Sequence, residues 1–220
     1  MPPKSRPSFK DFFPYATMVQ TRLAALYQAG GISADEVKTT VALDVSYTKE
    51  KAFAAAVAYR VADEKVVEVQ TGEYGVYFPY IPGYLYLREA PALLRVLAQI
   101  ETPYDLVLVD AHGRLHPRRA GLATVIGVLT ERPTLGIAKS LLVGEIRGTG
   151  PVRPIYLKGV QEGWYVKGDR PFYASPGNKM PLDEIRRWLR SRKETYPREL
   201  VEADSVTKQL RASSEAEGPA

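Results

Sequence analysis

The chain has no cysteine among its 220 residues, which excludes disulfides, iron–sulfur clusters and thiolate zinc sites and suits a reducing interior. Nowhere do 18 consecutive apolar residues occur, so no membrane-crossing helix is expected. Histidine is scarce, with only His112 and His116. There is no internal repeat, and no Pro/Gly/Ser-rich linker divides the chain into balanced halves, so a single domain over residues 1–211 is expected. From Ala212 the sequence Ser-Ser-Glu-Ala-Glu-Gly-Pro-Ala offers no apolar face to bury, and a disordered tail over 212–220 is expected. The start, Met-Pro-Pro-Lys-Ser-Arg, carries charge, but no apolar stretch follows it; a cytoplasmic monomer without membrane contact is the expectation.

What is present leans basic. Thirty Lys+Arg against 25 Asp+Glu give a net charge of +5, an excess that favours polyanionic partners. Fourteen tyrosines against six phenylalanines supply rings that stack on bases, although tyrosine is equally at home in half-buried strands.

Apolar spacing of three to four residues predicts a leading helix from about Phe9 to Gln28, broken near Pro14 and stopped by Gly30-Gly31. Three β-like runs follow, Thr40 to Thr48, Ala52 to Val61 and Lys65 to Tyr77, joined by short charged turns into an antiparallel meander. Then helices (Leu85 to Ile100, Arg119 to Leu129) alternate with strands (Tyr104 to Asp110, Thr134 to Ala138), which implies parallel pairing. Strands near 152–157, 163–167 and 172–175, a helix from Leu182 to Arg192 and a weaker one from Pro197 to Leu210 complete the chain. The order predicts an α/β fold with a ribonuclease-H-like, mixed five-stranded sheet flanked by helices, in which the first and fourth strands are neighbours.

Three carboxylates stand out in that frame. Asp44 interrupts the apolar run from Val41 to Tyr47 in the expected central strand, where an uncompensated ionised carboxylate would cost several kcal/mol. It must be paired, hydrogen-bonded or bound to a cation. Asp110 ends a second apolar strand, where it also suits a turn cap, and Glu89 lies early on a helix, where it equally suits solvent beside Arg88. Together the three suit Mg2+ or Mn2+ in phosphodiester hydrolysis. Both histidines lie in Asp110-Ala-His-Gly-Arg-Leu-His-Pro-Arg-Arg119. Gly113, Pro117 and the missing HExxH glutamate speak against zinc there. His112 is expected to be a satisfied polar residue, and His116 to orient a metal-bound water or contact the phosphate. Lys139 ends the last parallel strand at the same sheet edge, placed to neutralise a phosphate or to lie along the surface.

Residues Tyr77 to Tyr84 hold three tyrosines, a phenylalanine and two prolines without a charge. Such a stiff aromatic element can be driven between bases or can staple a strand-to-helix corner. Arg118 and Arg119 in the loop, with Arg186 and Arg190 on the late helix, are candidate phosphate contacts; a charge run is also the usual form of a solvated face.

In order and spacing, Leu43-Asp44-Val45-Ser46-Tyr47, Pro79-Tyr80-Ile81-Pro82-Gly83 leading to Arg88-Glu89, Asp110-Ala-His-Gly113 with His116-Pro117-Arg118, and Gly136-Ile-Ala-Lys139-Ser140 resemble the endonuclease V family over roughly residues 16–210. The resemblance implies a Mg2+-dependent repair nuclease, with Mn2+ as a substitute, that recognises deoxyinosine in DNA and cuts the second phosphodiester bond on its 3′ side without removing the base. Inosine in RNA stays open as a substrate. By the same resemblance Asp44, Glu89 and Asp110 are metal and catalytic carboxylates assisted by His116 and Lys139. Pro79, Tyr80, Ile81 and Pro82 form a strand-separating wedge, and Gly83, Leu85, Ala111 and Leu122 line the lesion pocket. Ala111 stands where the family usually has glycine, and Asn178 where many members have histidine. Two alternatives remain: another ribonuclease-H-like nuclease, and a non-catalytic nucleic-acid-binding module of the same fold.

Overall fold

In a computed structural model, which describes residues 9–216 and their side chains from residue 12 on, the sheet is larger than expected. Nine strands lie in one sheet rather than five. They are β1 (Thr39–Tyr47), β2 (Lys51–Arg60), β3 (Lys65–Gly75), β4 (Leu106–Val109), β5 (Thr134–Ala138), β6 (Glu145–Ile146), β7 (Val152–Leu157), β8 (Val160–Val166) and β9 (Phe172–Asn178), in the order β3-β2-β1-β4-β5-β9-β8-β7-β6. The first five strands have the expected arrangement: β1 is antiparallel to β2 and parallel to β4, and β4 is parallel to β5. The late strands do not form a separate hairpin. β9 pairs antiparallel with β5 and carries β8, β7 and β6 outward.

Helices cover both faces. Helices α1 (Phe9–Leu26), α2 (Leu85–Leu97) and α3 (Leu122–Leu129) share one apolar cluster with Val41, Leu43, Val107 and Val109. Helices α4 (Leu182–Ser191) and α5 (Arg198–Ala216) close the other face over Ala42, Leu106, Leu108, Leu135 and Ile137. The assignment follows the pleat, since successive residues of β1 and β4 point to opposite faces. β2 is alanine-rich and buried from Ala52 to Tyr59, so α2 and α5 both pack closely against it.

Beyond shifts of one to three residues at helix ends, two helices differ from expectation. α1 continues through Pro14 without a break; at the sixth residue of the helix a proline removes one i to i−4 hydrogen bond near the start and leaves the following turns intact. α5 runs on to Ala216, so residues 212–216 are helical rather than disordered. Ser214 accepts a hydrogen bond from Lys51 Nζ at 3.2 Å, and the rest of the expected tail lies outside the described residues.

α5 is fastened by a buried charge. Glu199, with no exposed surface, accepts hydrogen bonds from Thr40 Oγ1 of β1 at 3.0 Å and from Arg192 at 2.6 Å. Removing one partner of such a pair leaves the other charge uncompensated. Glu199→Ala is expected to lower unfolding free energy by about 3–5 kcal/mol, read as a lower urea midpoint with an unchanged m value.

Candidate active site

β4 ends at Val109, paired with Leu43, while β1 runs on to Tyr47. The split places Asp44 and Asp110 side by side at the carboxyl ends of two parallel strands, the Asp110 amide donating to Leu43 O at 3.3 Å. Glu89 comes from α2, where Leu85, Glu89 and Leu93 recur every four residues and so share one helix face. These residues, with Asp44 and Asp110, line one cavity of about 250 Å³. The three carboxylates expected to converge therefore do so.

The electrostatics of that cavity are unfavourable without a cation. Burial pushes the Asp44 carboxyl up to about 6 despite the lowering hydrogen bond from Thr207, with Asp110 and Asp204 adding repulsion. Burial and then the charge of Asp44 push Glu89 up to about 8. Lys139 Nζ donates to Asp110 Oδ2 at 2.5 Å. Burial pulls its ammonium down, but the bond and charge of Asp110, aided by Asp44 and Asp204, outweigh this and hold it above its ordinary value.

Three supporting residues carry no sequence signal that singles them out. Thr207 Oγ1 donates to Asp44 Oδ2 at 2.7 Å, and Ser46 Oγ donates to Thr207 O at 2.8 Å. Asp204, one turn earlier on α5, adds negative charge beside Asp44 and Lys139. Gln20 is buried on α1, donating to Ala120 O at 2.7 Å and Gly83 O at 3.2 Å. Thr207 and Gln20 reach across 163 and 100 residues of sequence, and periodicity within one helix cannot show such pairings.

A second cavity, of about 370 Å³, adjoins the first and shares Tyr80, Leu85, Asp110 and Leu122 with it. Gly83, Leu85, Ala111 and Leu122, the expected pocket residues, all line it, together with His116, Lys139 and Leu142. Ala111 is 6% exposed, so its methyl occupies wall volume that a glycine would leave free. On the rim, Pro79, Tyr80 and Pro82 are exposed and Ile81 is half-buried. Tyr80 is 65% exposed and Tyr77 87%, whereas Phe78 packs against Phe12 at 6.0 Å. One ring staples the corner while two tyrosines face solvent.

The structure places both histidines and most of the candidate arginines in contacts within the protein. His116 is 3% exposed; its Nδ1 accepts from the Arg118 amide at 3.2 Å and its Nε2 donates to Gly83 O at 3.1 Å. Burial, then Arg118, push it down to about 4, so the ring is neutral with both nitrogens engaged. It lines the pocket wall with both ring nitrogens held by backbone groups. Arg118 donates to Gly83 O at 2.5 Å and to Gln20 Oε1 at 2.7 Å, and stacks on Tyr84. Arg119 pairs with Glu162 at 2.8 Å and Arg186 with Glu194 at 2.8 Å. These guanidiniums are engaged by carbonyls and carboxylates of the protein itself. Arg190 is exposed on α4, which packs on the apolar cluster of the α4–α5 face, away from the pocket. His112 is satisfied at Nε2 by Ser140 O at 2.7 Å. Asn178 ties the segment after α1 to α3, accepting from the Gln28 amide and donating to Gly127 O, each at 2.9 Å.

The donor set fits a hard divalent ion. Carboxylate oxygens suit Mg2+ or Mn2+, and a cation would relieve the repulsion that raises Asp44 and Glu89. Among the described residues no three His, Cys, Asp or Glu side chains already close around one ion. Mg2+ needs no such cage, because it binds through one or two carboxylates and takes its other ligands from water and phosphate.

Comparison with known proteins identifies the family and the fold. The family model described as Endonuclease V matches residues 22–205. An Endonuclease V of Saccharolobus islandicus is 37% identical over 184 residues, covering 80% of this chain and 85% of the relative. The crystal structure of Endonuclease V from Streptomyces avermitilis superposes with a TM-score of 0.81 at 30% identity, covering 93% of this chain and 94% of that one. Endonuclease V of Ciona intestinalis, solved with a 24mer DNA containing an inosine followed by a ribo-adenosine, has the same fold, with a TM-score of 0.83 at 23% identity and coverage of 92% and 99%. The chain with this paired acid cavity and pocket belongs to the endonuclease V family.

Proposed function

We propose that this endonuclease repairs deaminated adenine: it takes the base of a deoxyinosine into the larger cavity and cuts the same strand at the second phosphodiester bond on the 3′ side, leaving the base in place. The observation that carries the proposal is the shared wall. Asp110, Leu85, Leu122 and Tyr80 border both the pocket and the acid cavity, so a base held in one sets the position of the backbone in the other. The inosine-containing DNA bound by the Ciona intestinalis relative supports the same substrate class.

Each residue then has a chemical task. Tyr80, exposed on a proline-stiffened rim, takes the place of the extruded base and keeps the strand open. Leu85, Ala111 and Leu122 form an apolar wall against the base. Asp44, Glu89 and Asp110 would hold Mg2+, with Mn2+ as a substitute. The ion would supply charge neutralisation at the phosphate and activation of water. Thr207 fixes the Asp44 carboxylate by occupying one of its oxygens. Lys139, half exposed and kept cationic by Asp110, is free at its outer side to meet the scissile phosphate.

A nicking assay on matched strands with and without one deoxyinosine, each as DNA and as RNA, tests the proposal. Cleavage confined to the lesion strand in the presence of Mg2+ is expected; equal cutting of the plain strand contradicts it. Asp44→Ala and Asp110→Ala are each expected to lower nicking by about a hundredfold to a thousandfold or more while lesion DNA still binds. Tyr80→Ala is expected to weaken binding to lesion duplex about tenfold or more, in the range of one lost base–aromatic stack. Its melting temperature should be unchanged, because the side chain is mostly exposed.

Removal of metal gives a further expected outcome. Asp44 and Glu89 are raised in the folded state, so the folded protein holds their protons where the unfolded chain has lost them. Their contribution is present below about pH 4 and is lost as pH rises through about 6 and about 8. In EDTA the melting temperature should fall, by on the order of 5 °C, between about pH 6.5 and pH 8.5, above the range in which the depressed His116 acts in the opposite sense. Millimolar Mg2+ should restore it at the upper end, and Glu89→Gln should flatten the slope. A metal-free profile that rises over this range would exclude the repulsive acid pair.

A further inference from the structure

Away from the pocket, the outer half of the sheet carries a row of rings that no internal contact explains. Ala138 of β5, which lines the pocket, is in register with Tyr173 of β9; Tyr173 is in register with Tyr165 of β8, and Tyr165 with Arg153 of β7. Residues directly opposite in a sheet share a face, so the row crosses four strands on one side. The contacts run continuously: the His112 and Tyr173 rings are 6.4 Å apart, those of Tyr173 and Tyr165 are 5.4 Å apart, and the Arg153 guanidinium sits 4.5 Å from the Tyr165 centroid. All four side chains are half-buried.

The opposite side of these strands is already used. Val152, Trp164, Val166, Phe172 and Ala174 pack with α4 and α5, so the row lies on the face that no helix of that layer covers. Two of its polar atoms, both buried, lack partners in the protein. Among the described residues no carboxylate pairs with Arg153, its Nε has no acceptor, and His112 Nδ1 has none either. An arginine held by stacking and left without a counter-ion is arranged to meet an anion such as a phosphate.

We infer that Tyr173, Tyr165 and Arg153 form a stacking track for single-stranded nucleic acid, with bases on the two tyrosine rings and a phosphate on the guanidinium. Sheet order assigns the direction, and this part rests on the function proposed above. The acid cavity lies over β1 and α2, the pocket over the ends of β4 and β5, and the row over β9, β8 and β7. A strand cut on the 3′ side of its lesion runs 3′ from the pocket toward β1. Its 5′ flank therefore leaves across β9. Three further strands spaced by about 4.8 Å give a track of about 14 Å, room for about four nucleotides at stacked spacing.

The track predicts a change in KM without a change in kcat, since it lies away from the acids. On a deoxyinosine strand with a long 5′ flank, Tyr165→Ala should raise KM about tenfold, and Tyr165→Phe should stay within about twofold of the parent. Arg153→Gln should reduce the slope of log affinity against log salt by about 0.7. Trimming the 5′ flank to one nucleotide should bring the unmodified protein to the level of Tyr165→Ala, whereas trimming the 3′ flank should leave the difference intact. Binding of an undamaged single strand, which needs no lesion pocket, separates the two proposals. If that affinity also drops about tenfold in Tyr165→Ala, the track stands even where lesion cleavage fails. Equal affinity for the undamaged strand in Tyr165→Ala, Arg153→Gln and the parent overturns the track, and a loss that depends on the 3′ flank overturns its direction. Far-ultraviolet circular dichroism of Tyr165→Ala, with Arg153→Gln as the milder variant, checks that the fold is kept.

Discussion

Like charge held in a small recess is the constraint on which the rest of this structure turns. Asp44 lies on a strand flanked by β2 and β4 and cannot swing to solvent, and Asp110 and Glu89 close on it from β4 and α2. Repulsion between them is a standing cost to the fold. The compensation comes from elsewhere in the chain. Thr207 gives Asp44 a hydrogen bond, Lys139 gives Asp110 a counter-charge, and the α5 helix that carries Thr207 is itself anchored through Glu199 to Thr40 and Arg192. Thr40 and Asp44 are on the same strand, so one helix is registered against β1 at two points. A shift of α5 by a single turn would break both.

The second organising point is a carbonyl. Gly83 O receives Arg118, His116 Nε2 and Gln20 Nε2, and Gly83 itself sits at φ +81, a conformation that glycine adopts without strain. Three donors from α1 and the loop after β4 thus converge on the turn between the aromatic rim and α2. Load on Tyr80 therefore falls on an element already fixed to the loop that carries Asp110. Residues that look like proton carriers or phosphate clamps in sequence serve here as struts, and the neutral state of His116 follows from its burial between two backbone partners.

The acid cavity was legible from sequence because its signal is local. A carboxylate inside the apolar run Val41–Tyr47, and another ending Leu106–Val109, break their own patterns, and parallel pairing follows from the strand–helix alternation between Leu85 and Ala138. Glu89 was ambiguous alone and became readable only beside the other two. Of the later strands β7, β8 and β9 are legible one by one, whereas the two-residue β6 and the membership of all four in the same sheet are not, because antiparallel pairing of β9 with β5 leaves no trace in either strand's own periodicity. The roles of Thr207 and Gln20 were invisible for a related reason: each is an ordinary polar residue on a helix until its distant partner is known. Arg118, Arg119 and Arg186 misled because sequence shows charge and hides the carbonyl or carboxylate that already engages it.

The extension of the sheet also changes what the pocket can do. Had the sheet stopped at β5, that strand would expose unpaired backbone beside Lys139, and an open edge invites pairing with other chains. β9 covers the edge and brings Ser175 Oγ to the Gly113 amide at 2.9 Å, and a Cβ added at Gly113 would collide with the Pro176 carbonyl. The loop after Asp110 is therefore clamped between β5 and β9 from both sides. Ala111 lies within that clamp, next to a Gly136 whose own added Cβ would approach the Ala111 carbonyl at 2.5 Å. Backbone so tightly confined has little room to back away from an added methyl. The extra volume at Ala111 must appear mainly in the pocket, which makes this position a point where sequence can alter the shape of that cavity while leaving the acids in place.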